Sequence, residues 1–229
     1  MNVLAIESST RTPTIAIVTE GRIIEYAPCA GADAVLTVAT VVEALACASV
    51  SLQSLDAIAF GSGPGAFTSL RSACSIALGL GLARGLPVVP VSSLRALAEP
   101  HLSSGELVVA LDARLGEVYW ARVSVECTLD AEPRCSTPEV LRQHLQPGDR
   151  ALGNGFGAHE AVFGDSAPLI SIVDSLAVPK ASAVARLAMA ALAAGETFEL
   201  HDLAPDYVRN KVAMTKVEQL AVRRLNSVA

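Results

Sequence analysis

Residues 107–123 read LVVALDARLGEVYWARV, an apolar run that ends in an acidic turn and is followed by a second apolar run. The chain opens in the same way, with LAIESSTRTPTIAIV at residues 4–18. Each stretch has the pattern of a strand, a polar turn and a second strand. Because the later stretch restarts the earlier pattern, we predict two topologically similar halves, residues 1–104 and residues 105–229.

The remainder of each half alternates between strand-like and helix-like stretches. The predicted strands of the first half include residues 14–19, 23–26, 55–60 and 87–91, and its helices are 32–50, 68–84 and one that begins near Leu94. The second half continues with a predicted loop at 126–150, a GNGFG turn at 153–157 and a helix at 179–194. Strands that alternate with helices are typical of an α/β fold with crossover helices. We therefore expect two α/β lobes, each a mixed sheet with flanking helices.

The composition is apolar and poor in charge, with 52% hydrophobic and 17% charged residues. Disordered chains have the opposite composition, so we expect a folded protein. The longest apolar stretch, residues 34–50, contains Glu43 and is shorter than the roughly 20 uncharged residues that a membrane span needs. We expect that a protein partner, and not a lipid bilayer, covers the apolar surplus.

The charge and the cysteines restrict the possible partners and compartment. The formal net charge of −6 argues against direct nucleic-acid binding, because contacts to phosphate dominate that affinity. The first residues, MNVLAIESST, lack a basic segment, so we expect no signal peptide. The five cysteines form no CxxC motif, and we expect reduced thiols in a cytoplasmic protein.

Two predicted helices, 32–50 and 68–84, carry more small and apolar side chains than one sheet covers. A sheet covers one stripe of a helix, whereas helix 32–50 is apolar on almost all sides. Gly79 and Gly81 each cost about 1 kcal/mol relative to alanine inside a helix, which fits the close approach of another backbone. We expect an intermolecular face; the alternative is that both helices only cover their own sheet. The expected face consists of Val35, Val38, Val42 and Ala46 on the first helix, and Ser69, Ser72, Ile76 and Gly79 on the second.

Few residues have the spacing of a catalytic or metal site. The glycine-rich GSGPG at residues 61–65 follows a strand and precedes a helix, as phosphate-binding loops do, but no lysine follows it. The alternative for this loop is a tight turn. No two of the four histidines have helical metal-ligand spacing, so we expect no metal site. The best-placed carboxylates are Glu7 and Asp112, each at the end of a predicted strand, where strand ends face the cleft of a two-lobed fold. They either have a catalytic or metal-water role there or cap a turn by hydrogen bonding.

Five segments, in this order along nearly the whole chain, resemble the TsaB (YeaZ) family, which acts in the threonylcarbamoyladenosine modification of tRNA. They are LAIESST, GSGPGAFTSLR, PVSSLRALA, LDARLGEVYWA and PDYVR. The most specific is GPGAFTSLR, where the family pattern is closer to GPGSFTGLR, so Ala66 and Ser69 are departures. Glu7 and Ser8 depart from the usual LAIDTST, and Asp33-Ala34 replaces a histidine–serine pair.

The resemblance implies a duplicated fold of the actin, Hsp70 and sugar-kinase type. Nucleotide phosphates in that superfamily lie between the lobes, near the first hairpin of each half. The corresponding positions here include Glu7 and Ser8 in the first half, and Asp112 and Arg114 in the second. The family is degenerate in this cleft, so the resemblance implies no cofactor.

The resemblance also implies a non-catalytic scaffold that binds the TsaD transferase, with TsaE joining the assembly. TsaD would transfer the threonylcarbamoyl group from an adenylate to the adenosine next to the anticodon. The family pairs through its first two helices, with itself when alone and with TsaD in the complex. Contact with tRNA would then be indirect, through the partners.

Two other classes of function stay open on the sequence. One is a kinase-like phosphotransferase that uses the cleft between the lobes, although the first turn lacks a glycine and no general base is evident. The other is a metalloprotease, which is the least favoured because the chain has no two-histidine motif.

Overall fold

Two five-stranded sheets form the centre of the protein in the computed structural model, which describes residues 1–28, 36–164 and 170–209. The first sheet consists of β1 (Val3–Glu7), β2 (Thr14–Thr19), β3 (Arg22–Tyr26), β4 (Ala57–Gly63) and β5 (Val88–Ser92), in the order β3-β2-β1-β4-β5. The second sheet consists of β6 (Leu107–Arg114), β7 (Glu117–Val123), β8 (Arg134–Ser136), β9 (Arg150–Leu152) and β10 (Ser171–Asp174), in the order β10-β9-β6-β7-β8.

The two sheets have the same topology. In the first, β1 pairs antiparallel with β2 and β2 with β3, whereas β1–β4 and β4–β5 are parallel. In the second, β6–β7 and β7–β8 are antiparallel, whereas β6–β9 and β9–β10 are parallel. Each half thus consists of a three-stranded antiparallel meander, with two parallel strands added beside its first strand. The prediction of two similar α/β lobes with mixed sheets is confirmed.

Seven α-helices surround the sheets within the described residues. They are α1 (Val38–Cys47), α2 (Phe67–Arg84), α3 (Ser93–Ala98), α4 (Pro138–His144), α5 (Asn154–Ala158), α6 (Glu160–Phe163) and α7 (Ala181–Ala193). The predicted helices 68–84 and 179–194 agree with α2 and α7 to within two residues at each end. Within the described part of the chain, no helix has the length and apolar character required to cross a lipid bilayer.

The predicted helix 32–50 begins later than expected, at Val38. Thr37 is the N-cap, because its hydroxyl accepts a hydrogen bond from the Thr40 backbone N–H at 3.2 Å, and the Thr40 hydroxyl accepts one from the Thr37 N–H at 3.0 Å. Such reciprocal bonds define the start of a helix. Residues 29–35 lie outside the described residues, and with them Val35 of the predicted face.

Two stretches of the second half differ from their predictions. The predicted loop at 126–150 contains β8, which extends the sheet beyond β7, and α4, which begins with proline after Thr137. The predicted GNGFG turn forms most of α5 instead. Its glycines allow α5 to pack closely on β6, since a Cβ at Gly153 would lie 2.1 Å from the Ala110 carbonyl oxygen.

The first sheet is covered on both faces, and the two covers differ in side-chain size. On one face, Leu4 and Ile6 of β1 belong to a cluster of large aliphatic residues with α1 and α2. On the other face, Val3 and Ala5 belong to a cluster with α7 that is rich in alanine. Small side chains on both elements allow α7 to approach the sheet closely. This packing accounts for much of the alanine in the sequence.

One helix from each half packs against the sheet of the other half. By sequence α7 belongs to the second half, yet its alanines pack on β1 and β2 of the first sheet. Conversely, Leu94 and Leu97 of α3 join the core of the second sheet, with Leu107 and Val109. The strands of the first sheet precede residue 104 and those of the second sheet follow it. The division into domains at 104/105 stays a prediction.

The two helical glycines of α2 have different surroundings. Gly81 is buried, and a Cβ there would lie 2.3 Å from the Val88 Cγ2 atom of β5. Gly79 is exposed, and a Cβ there would meet no described atom within 4 Å outside the helix itself. Close packing within the chain therefore explains Gly81 and does not explain Gly79.

We predict opposite effects for the two alanine substitutions. Gly79→Ala should raise the free energy of unfolding by about 1 kcal/mol, because alanine is the better helix former and space is available. Gly81→Ala should lower it by about 1–3 kcal/mol, because the added methyl group displaces a buried valine. Urea denaturation at low protein concentration measures both values. Equal stability of the two variants would contradict the packing of α2 on β5.

Candidate functional site

A cleft lies where the lobes meet, between the β1–β2 turn, the start of α2 and the β6–β7 turn. It comprises two adjoining cavities of about 150 Å³ and 470 Å³. The smaller cavity is lined by residues of both halves, among them Ser9, Arg11, Asp112, Arg114 and Asn154. The larger one is lined by the start of α2, the β6–β7 turn and residues 206–209.

Glu7 lies behind the cleft and not in it. Its side chain is buried at the end of β1, where Oε1 accepts a hydrogen bond from the Ser9 backbone N–H at 2.6 Å. Oε2 accepts one from the Ser93 hydroxyl at 2.9 Å. Burial raises the pKa of the Glu7 carboxyl above its ordinary value, although these hydrogen bonds oppose the shift. The carboxyl group therefore connects β1 to the start of α3.

The GSGPG segment makes room for this buried carboxyl group. A Cβ at Gly61 would lie 2.0 Å from Glu7 Oε2, and one at Gly65 would lie 2.4 Å from the Ser9 Cβ atom. The Ala66 backbone N–H, at the start of α2, donates to the Ser9 carbonyl oxygen at 2.8 Å. These contacts favour the interpretation of GSGPG as a strand end and tight turn over that of a phosphate-binding loop.

The structure brings two of the four predicted cleft residues to the cleft. Ser8 is buried, and its hydroxyl donates to the Ser69 carbonyl oxygen at 2.9 Å. Asp112 and Arg114 both line the smaller cavity. The Asp112 carboxylate caps its own turn, because Oδ1 accepts the Arg114 backbone N–H at 2.8 Å. Arg114 has a positive φ of 59° and an exposed side chain.

Residues 203–209, which we call the C-terminal strap, connect the two lobes beside the cleft. The Asp206 N–H donates to the Ser62 carbonyl oxygen at 2.7 Å, and the Ser62 hydroxyl donates to Asp206 Oδ2 at 2.5 Å. At the other end, Arg209 donates to the Ala113 carbonyl oxygen at 3.0 Å and pairs with Glu117. No local sequence pattern predicts that the strap lies at the site, because the contact of Asp206 with Ser62 joins residues that are 144 positions apart.

The predicted interface residues of α1 lie at the surface. Val38 is 52% exposed and Val42 is 57% exposed, and Ala46 is exposed as well. Other residues of α1, such as Val41 and Leu45, are buried. Val38, Val42 and Ala46 are four residues apart, so they lie along the same exposed side of α1.

The predicted interface residues of α2 are exposed to different degrees. Gly79 is exposed, whereas Ser69, Ser72 and Ile76 are half-buried. A groove of about 410 Å³ follows this part of the helix. It is lined by Phe67, Thr68, Arg71, Ser72, Ser75 and Ile76.

Among the residues that the structure describes, no group of three or more His, Cys, Asp or Glu side chains is arranged so that it could hold a metal ion.

The burial of Glu7 predicts a specific dependence of stability on pH. Since its pKa is raised by folding, the native state retains a proton that the unfolded state loses, and the free energy of unfolding falls as pH rises through that interval. Glu7→Gln should remove this contribution, about 1.4 kcal/mol for each pH unit crossed. Glutamine keeps both hydrogen bonds, with its carbonyl accepting from Ser9 and its amide donating to Ser93.

The measurement is a series of urea denaturation curves between pH 4.5 and pH 8, compared with the wild-type protein. Glu196→Gln, at an exposed glutamate after α7, is the control and should follow the wild-type curve. If Glu7→Gln and the wild-type protein keep a constant difference over this range, the buried carboxyl group is not protonated on folding.

Comparison with family models and relatives agrees with this architecture. Residues 34–147 match the model described as TsaD, tRNA N6-adenosine threonylcarbamoyltransferase. The tRNA threonylcarbamoyladenosine biosynthesis protein TsaB of Haemophilus influenzae is 29% identical, over 95% of this chain and 97% of the relative. The protein of the same name from Escherichia coli is also 29% identical, over 95% of this chain and 98% of the relative.

A solved structure extends the agreement to the fold of the whole chain. YeaZ from Pseudomonas aeruginosa superposes with a TM-score of 0.74 and 31% sequence identity, covering 90% of this chain and 99% of that one. Together, the end-to-end match in sequence and the shared two-lobed structure show that this chain belongs to the TsaB (YeaZ) family.

Proposed function

We propose that this chain is a non-catalytic subunit of the machinery that makes threonylcarbamoyladenosine in tRNA. In this proposal the exposed face of α1 and α2 holds the TsaD transferase. TsaE joins the assembly, and contact with tRNA is made by the partners. When alone, the chain pairs with itself through the same face. The lobe of residues 1–104 carries the partner-binding helices, and the protein acts in the cytoplasm without a cofactor of its own.

The observation that carries the proposal is that both helices expose large aliphatic side chains to water. Val42 on α1 is 57% exposed, and Leu82 on α2 is 76% exposed. Exposing such side chains to water is unfavourable, by about 25 cal/mol for each Å² of apolar surface. A partner helix that covers this face removes that cost. The small residues beside it, Ala46 and Gly79, permit the close approach of helices.

The resemblance between TsaD and this chain supports the identity of the partner. The TsaD family model matches residues 34–147, a stretch that contains both α1 and α2. Two related chains that carry similar helix pairs fit together with approximate two-fold symmetry, as homodimers do. The relatives named TsaB place this family in threonylcarbamoyladenosine biosynthesis. The same face therefore suits TsaD and, in its absence, a second copy.

The position of the carboxylates supports a role without catalysis. Glu7, the predicted cleft carboxylate of the first lobe, is turned into the core and held by Ser9 and Ser93. The carboxylate of the second lobe, Asp112, caps its own turn. A general base needs to come within hydrogen-bond reach of the proton it removes, and Glu7 is enclosed away from the cleft.

We predict that Val42→Asp disrupts binding to TsaD. An unpaired buried charge costs about 3–5 kcal/mol, so the dissociation constant should rise by at least about a hundredfold. Formation of threonylcarbamoyladenosine should fall in parallel in a reaction with TsaD, TsaE, tRNA and threonylcarbamoyl-adenylate, measured by mass spectrometry of nucleosides. Ile76→Asp should act in the same way, but Ile76 also packs on the core, so part of its effect is on stability.

The matched control is Val125→Asp, because Val125 is 55% exposed and follows β7 in the second lobe. It should bind TsaD like the wild-type chain. Light scattering after size exclusion, with and without TsaD, reports both kinds of assembly. Full-strength binding of Val42→Asp would refute the interface. ATP turnover by the isolated chain that disappears in Asp112→Ala would refute a non-catalytic role.

A further inference from the structure

Arg71 occupies an unusual position on the surface of α2. Its guanidinium carbon lies 4.0 Å from the centroid of the Phe67 ring and 5.7 Å from that of the Tyr207 ring. The two rings are themselves 5.2 Å apart. Arg71 Nε donates a hydrogen bond to the Tyr207 hydroxyl at 2.8 Å. An arginine of the first lobe is thus fixed in place by an aromatic residue of its own helix and by the C-terminal strap.

The charge of this fixed arginine is not compensated within the described part of the chain. Arg71 forms no ion pair there, and its two terminal nitrogens make no hydrogen bond. The other cation of α2, Arg84, differs because its Nη2 donates to the Gln53 carbonyl oxygen at 3.0 Å. The helix itself, FTSLRSACSIALGLGLAR, contains no acidic residue. In a chain of net charge −6, this is a place where a negative group from outside the described residues is favoured.

The groove beside Arg71 connects it to the proposed partner-binding face. Arg71 lines the same groove as Ser72 and Ile76, two residues of that face. Arginine and aromatic residues are enriched among those that contribute most to binding at interfaces. A guanidinium group that is already held in its binding geometry loses little conformational entropy when a carboxylate arrives.

We propose that Arg71 is a specificity-determining residue of the α2 face and binds a carboxylate of TsaD. Tyr207 is the positioning residue that orients the guanidinium for this contact. The inference rests on the proposed function, since it concerns the same face and the same partner. It adds the chemistry of the contact, an aspartate or glutamate side chain of TsaD, and a role for the strap in binding.

A second copy of this chain offers a poorer complement to Arg71 than a carboxylate of a different partner does. It would bring the same α2, which has no acidic residue. Glu43 is the one acidic residue of the α1 helix, and it already accepts a hydrogen bond from the Tyr26 hydroxyl at 3.0 Å. Arg71 is therefore expected to favour a partner that brings a carboxylate to the groove over the described α1 and α2 of a second copy, whereas the aliphatic residues of the face suit both.

The test measures dissociation constants for TsaD by calorimetry at low and moderate salt. Arg71→Ala should weaken binding by about tenfold or more and reduce its salt dependence, because a charge-assisted contact is lost. Arg71→Lys should weaken it by about threefold to tenfold, since lysine keeps the charge but not the planar fork. Tyr207→Phe should weaken it by about twofold to threefold, and should have no further effect in the Arg71→Ala background.

Arg84→Ala is the matched control on the same helix and should bind TsaD like the wild-type chain. If Arg71→Ala binds normally while Val42→Asp does not, the role of Arg71 is refuted and the proposed function stands. If both variants bind normally, the proposed function fails as well. If Arg71→Ala weakens only self-association, the occupant is a second copy and the proposal is overturned. Circular dichroism establishes that each variant is folded.

Discussion

The buried carboxyl group of Glu7 is held by one backbone N–H and one hydroxyl, and three elements are arranged around it. It closes the end of β1, it requires a glycine in β4, and it receives the Ser93 hydroxyl from the start of α3. A buried polar group without partners costs several kcal/mol, so these elements have to come together at one point. The same arrangement removes the carboxyl group from the cleft. The carboxyl group of Glu7 is thus enclosed in the core of the first lobe, whereas large aliphatic side chains of α1 and α2 are exposed on its surface.

That surface follows from how the apolar residues are distributed over the first sheet. Large aliphatic side chains fill the face under α1 and α2, and alanine fills the face under α7. Both faces are complete, yet Val38, Val42 and Leu82 remain outside them. The strap then adds a charged feature to an otherwise aliphatic face, because Tyr207 holds Arg71 beside the groove. In the proposed interface, aliphatic area would supply affinity and the fixed cation would supply selectivity, as hydrophobic and charged groups do at other interfaces.

The repeated strand–turn–strand pattern was sufficient to predict two similar lobes, because strand periodicity is a local property of the sequence. Helix α2 was predicted to within one residue, since a long run of small residues ends at glycine. Other features depend on distant parts of the chain. Strand β8 has three residues and exists through its pairing with β7. Glu7 was placed at the correct strand end, but the packing that turns its side chain away from the cleft involves Gly61 and Ser93, far away in sequence. Local sequence patterns also do not predict the contacts of the C-terminal strap.

The exchange of helices between the halves has a consequence for how the protein is made. The alanine-rich face of the first sheet is covered by α7, which ends at Ala193, and the core of the second sheet includes α3. During synthesis the first lobe therefore leaves the ribosome with one alanine-rich face still open to water. It closes only when about 84% of the chain has emerged, because α7 ends at residue 193 of 229. Each half therefore contributes a helix to the core of the other, and a nick between them should leave two fragments that need each other to become native.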